Sequence, residues 1–190
     1  VLGDAVYVCV ANRLQRRSWQ QRLADAGGAI GVHVVTFAQL YRRYLQLAGV
    51  VVTELDEPVQ HRLWRTAVRR AELVHYAPLR DKPGFPVLLS ALVAELKAAL
   101  LGPEDLAEGV AALGDEPRLR ELAQLYSRYQ GQLDEHAWAD GEELGWATLR
   151  ALEQNPAVGR SCALLVLDGF DTLTTVQLQT TTDGDAISIP

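Results

Sequence analysis

Apolar and polar residues alternate in two different ways along this chain. Val6-Tyr-Val-Cys-Val10 and Val32-His-Val-Val35 are short β-rich runs, and Ala163–Leu167 is five apolar residues ending on Asp168 and Gly169. Runs of that length bounded by turn residues predict strands. Each of the first two leads into a helical pattern. The helix after Asn12 extends to about Ala26, with Leu14, Leu23 and Ala26 predicted on its inner face, and Gly27-Gly28 ends it. Thr36, with Gln39 three residues on, is a capping box that opens the second helix, whose apolar side carries Phe37, Leu40, Tyr41, Tyr44 and Leu45.

From Gly49 to about Pro156 strand signals nearly vanish. Helical patterns open at Asp56-Glu-Pro58, Phe85, Pro103, Glu116 and Glu142. Val87, Leu88, Leu89, Leu92, Val93, Leu96 and Leu100 predict a helix buried on more than one side. After the strand at 162–167, a short helix over 174–181 and a strand over 186–189 are expected. The order βαβα, helical block, βαβ favours a parallel sheet with helices on its faces. The fold class is therefore α/β: a sheet domain over 1–48 and 158–190, interrupted by an all-α insertion over 49–157.

Charge and composition narrow the chemistry. The net charge of −6 argues against bulk attraction to nucleic acid, yet sixteen of the eighteen basic residues are Arg, and several cluster. Arg13, Arg16 and Arg17 share a predicted helix face. Arg62, Arg65, Arg69 and Arg70 share another, either a solvated face or, with Arg42 and Arg43, a basic stripe beside a strand path. Cys9 and Cys162 fit buried, reduced thiols of a cytoplasmic protein. The four histidines show no zinc spacing, and no serine has a G-x-S-x-G context. No apolar run is long enough to cross a bilayer, so no membrane partner is expected. The Val1 start and the absence of Met suggest a piece of a longer protein.

Three stretches together resemble the core of superfamily 1 DNA helicases of the UvrD/Rep type. Val8-Cys-Val-Ala-Asn-Arg-Leu14 resembles motif Ia, and Val35-Thr-Phe-Ala-Gln-Leu40 resembles motif Ib with Ala38 in the His place. Leu167-Asp-Gly-Phe-Asp-Thr-Leu-Thr-Thr-Val-Gln177 is similar to motif II, "VDEFQDTNPLQ", matching it at Asp168, Phe170 and Gln177. Gly169 stands where that motif has its catalytic Glu, and Asp171 where it has the nucleotide-sensing Gln. A closer likeness is to the inactivated AddB/RecC-like subunits of bacterial helicase–nuclease complexes. It is carried by the Asn12–Arg17 opening, Asp81-Lys-Pro-Gly-Phe85, Pro103-Glu-Asp-Leu106 and the "LDGF" strand end.

That resemblance implies a partial RecA-like (P-loop NTPase-like) domain 1A with domain 1B inserted. It implies DNA contacts at Asn12, Arg13, Arg16, Arg17, Thr36 and Phe37, and a degenerate Walker B pair at Asp168 and Asp171. Implied partners are single- or double-stranded DNA ends and a helicase–nuclease partner subunit. No cofactor is expected in the piece itself, with ATP and Mg²⁺ possible in its parent. Two alternatives stay open: an active ATPase whose P-loop lies upstream, and a protein-docking module without DNA binding.

Overall fold

A computed structural model describes residues 5–114, 116–182 and 187–188. The chain divides into two compact units, Val1–Val51 with Leu144–Pro190, and Val52–Glu143.

The first unit is built on a four-stranded parallel sheet: β1 (Ala5–Val10), β2 (Val32–Val35), β5 (Cys162–Asp168) and β6 (Ile187–Ser188), in the order β2-β1-β5-β6. Tyr7 to Val10 are all buried, as a central strand covered on both faces requires. Val8 and Val10 pack with Val34, against Trp19 and Leu23 of helix α1 (Arg13–Asp25). On the other face lies helix α2 (Phe37–Ala48), whose Tyr44 hydroxyl bonds Cys162. Helix α8 (Thr175–Thr182) follows β5. The expected strand over 186–189 is present as β6, with Ala186 and Ile189 outside the described residues.

The second unit holds β3 (Thr53–Glu54), α3 (Glu57–Arg70), α4 (Gly84–Ala98), α5 (Pro103–Ala112), α6 (Pro117–His136) and β4 (Trp138–Ala139). Its core gathers Trp64, Phe85, Leu89, Val93, Leu125, Tyr126, Tyr129 and Leu133, with Trp64 stacked on Tyr129 at 4.1 Å between ring centres. Beneath the stack lies a buried polar node. Lys97 Nζ donates to Asp140 Oδ2 at 3.0 Å and Glu143 Oε2 at 3.1 Å, while the Tyr129 hydroxyl donates to Asp140 and Gln130 to Glu143. Burial, first, and the adjacent Asp140 carboxylate push the Tyr129 phenol far above its ordinary range, so it stays a donor.

Four expectations need correction. The unit boundary falls after Glu143, well before the expected 157/158. From Leu144 onward helix α7 (Gly141–Gln154) belongs to the sheet unit, where Leu144, Ala147, Thr148, Leu149 and Leu152 are buried. The insertion is not wholly helical, because β3 and β4 pair in parallel, Thr53 with Trp138 and Glu54 with Ala139. Helix α4 buries one stripe, Phe85, Leu89, Val93 and Lys97, and leaves Val87 and Leu88 exposed. A four-residue step drifts slowly round a helix, so a run of apolar residues on either side of it need not be covered. In α1, Leu14 and Ala26 are exposed and the inner face is Gln15, Arg16, Trp19 and Leu23.

Among the described residues no single helix is long and apolar enough to cross a membrane.

Candidate nucleic-acid interface at the strand ends

Parallel strands deliver their C-terminal ends to one edge, and in open α/β sheets that edge is where ligands bind. The register aligns Cys9 with Val35, and Val10 with Asp168. Asn12, Thr36 and Asp168, distant in sequence, therefore come together along one rim. Strand polarity alone achieves this, since each residue sits within two positions of its strand's last paired residue.

At the rim, local hydrogen bonds consume much of the polar capacity. Asn12 caps α1, its Oδ1 accepting from Leu14 N and Gln15 N, each at 3.0 Å. Gln15 in turn accepts from Ala11 N at 3.1 Å. Thr36 and Gln39 form the expected capping box, with Gln39 Oε1 accepting from Thr36 N at 3.1 Å. Thr174 and Gln177 form another: Thr174 Oγ1 accepts from Gln177 N, and Gln177 Oε1 from Thr174 N. Such caps satisfy N–H groups that a helix start otherwise leaves without partners.

The arginines divide. Arg13 and Arg17 are exposed, whereas Arg16 is half-buried with its Nε enclosed and lacking an acceptor. The single face expected for all three is thus split, because Trp19 and Leu23 set the inward side of α1 and Arg16 lies nearest to it. Phe37 is also not presented as a stacking surface. It is 6% exposed and packs edge-on against Phe170, ring centres 5.3 Å apart, and against Tyr41.

Asp168 ends β5 on the face shared with Val8 and Val10, so it meets α1. Its Oδ2 accepts from Trp19 Nε1 at 2.6 Å. The next residue, Gly169, has φ +77°, a conformation that favours glycine, and a Cβ there would run into the Gln15 side chain. The Gln15 side chain thus lies against Gly169, and a larger residue there would require it to move. Asp171 is exposed in the turn beyond. No group of three or more His, Cys, Asp or Glu able to hold a metal occurs among the described residues. The thiols are placed for packing: burial pushes Cys9 up to about 12, and burial likewise raises Cys162, whose partner is the Tyr44 hydroxyl. Neither is a thiolate at neutral pH.

Sequence reasoning missed Gln15 and Trp19 as rim residues. A signal existed for Gln15, since Asn12-x-x-Gln15 has the spacing of a capping box. None existed for Trp19, whose bond to Asp168 spans 149 positions.

No curated protein matches the chain. A family model, that of the AddB N-terminal region, matches residues 19–182. The match covers both units, from the helix that carries Trp19 to the end of α8, and by it the chain belongs to the AddB N-terminal family.

Proposed function

We propose that the chain is part of the RecA-like domain 1A, with the inserted 1B domain, of a catalytically degenerate helicase region. It serves as a scaffold that guides single-stranded DNA in an AddB-type helicase–nuclease processing double-strand-break ends. What carries this reading is the end of β5, where Asp168 is committed to Trp19 and Gly169, at φ +77°, stands where the resembled motif has its catalytic Glu. A sheet held by apolar packing keeps its shape when an acid is lost from its rim. The remaining rim then offers positive charge without hydrolysis. Arg13 and Arg17 supply exposed guanidinium groups for phosphates, and Thr36 lies at a helix start.

The test is single-stranded DNA binding by the intact protein as a function of salt. Arg13→Ala with Arg17→Ala is expected to weaken binding roughly tenfold and to lower the slope of log K against log salt by about 1.4, for two phosphate contacts. Unchanged affinity and slope would remove the guiding role. ATP hydrolysis that is lost in Asp171→Asn would instead restore the reading as an active ATPase.

A further inference from the structure

A second cluster of positive charge lies within the helical unit. His61, Arg65 and Arg69 occupy one stripe of α3 at four-residue spacing, facing the loop Arg80-Asp-Lys-Pro83 and Pro86 of α4. Together they line a pocket of about 360 Å³. Four permanent cations, Arg65, Arg69, Arg80 and Lys82, converge there against one carboxylate, Asp81. The chain as a whole carries −6, so this concentration runs against its average.

Two observations distinguish the pocket from an ordinary solvated helix face. Among the described residues none of these four cations has a carboxylate within ion-pair distance, although acidic residues outnumber basic ones in the chain. Arg80 is also fixed in place. One Nη2 N–H donates to the Ala71 carbonyl at 2.9 Å, while Nε is enclosed without an acceptor. A guanidinium held this way presents its remaining N–H groups in a set direction, and a concave wall of one charge focuses its field on the space in front.

We propose that this pocket binds a phosphate group of a nucleic-acid strand. Phosphate suits the donors: guanidinium N–H pairs match its oxygens in a forked geometry, and the Lys82 ammonium adds a point charge. Apart from the His61 imidazole the lining has no aromatic ring, and it has no side-chain amide for a base edge, so recognition is chiefly by charge and independent of sequence. The proposal rests on the reading that the chain handles DNA, but it uses residues on a different unit from the rim. The phosphate comes either from the backbone or from a 5′ end, and the two sources are separable by experiment.

The test uses the intact protein and a labelled single-stranded oligonucleotide, with and without a 5′-phosphate, titrated by fluorescence anisotropy at several salt concentrations. Arg65→Ala with Arg69→Ala is expected to weaken binding of both oligonucleotides roughly fivefold to tenfold and to reduce the salt slope by about 1.4. Both side chains are exposed, so the thermal midpoint is expected to stay in place. A loss confined to the 5′-phosphorylated strand supports the pocket and assigns it to strand ends. If this variant binds both strands like the wild type while Arg13→Ala with Arg17→Ala weakens them, the pocket is overturned and the rim stands. The reverse pattern overturns the rim and keeps the pocket. If neither variant changes binding, both fall.

Discussion

The two units satisfy their polar groups in opposite ways. In the sheet unit most polar side chains of the rim bond within a few residues of themselves: Asn12 to Leu14 and Gln15, Gln39 to Thr36, Gln177 to Thr174. In the helical unit the important ones reach far along the chain. Lys97 finds Asp140 and Glu143 more than forty residues away, and Glu121 accepts from Val74, His75 and Tyr76 at 2.9, 2.7 and 3.0 Å. A local cap stabilises one helix start. A distant network holds several elements in one arrangement, and removing one member strands the others in a medium that cannot solvate them.

The sharpest way to break this comparison is Lys97→Met. It leaves two buried carboxylates without their cation, and is expected to cost about 3–5 kcal/mol, measured by denaturant unfolding. A loss near 1 kcal/mol would mean that the node relaxes as easily as a surface pair.

Glu121→Gln comes next. Burial pulls this carboxyl up, but N–H donation from Tyr76, His75 and Val74 outweighs it and holds the group below the ordinary carboxylate range. A depressed folded value stabilises the fold above the unfolded value and is lost as pH falls through the folded one. The variant is therefore expected to be about 1–2 kcal/mol less stable at neutral pH, with the deficit closing in acid. A deficit independent of pH would assign the effect to shape and not to charge.

The smallest effect is expected from Asn12→Ala, about 1 kcal/mol for loss of a helix cap. Its reach should also be short: hydrogen exchange is expected to rise in the first turn of α1 and to stay unchanged in the helical unit. If the change spread into the helical unit, the contrast between local and distant bonding would fail.

The same contrast explains what was readable from the residues alone. Capping boxes and strand runs are patterns over a few neighbours, so β1, β2, β5 and the helix starts at Thr36 and Pro58 stand where their patterns put them. Which side of a helix turns inward is not such a pattern. Leu14 is as apolar as Leu23, yet it is exposed, because α1 turns Trp19 and Leu23 toward the sheet. Glu142 and Glu143 read alike as first-turn acids, but only Glu143 enters the buried node.

The parallel direction of the strands, and with it the placing of Asn12, Thr36 and Asp168 at strand ends on one rim, was determined by the chain itself, whereas their order β2-β1-β5-β6 was not. Short β-rich runs alternating with helices leave parallel pairing as the arrangement that hides both sheet faces. Only the tertiary structure decided that the Gln15 side chain lies against Gly169, that Lys97 is buried between two acids, and that Arg65, Arg69, Arg80 and Lys82 face one pocket. Each depends on the distance between side chains remote in sequence, which packing sets and no local pattern encodes.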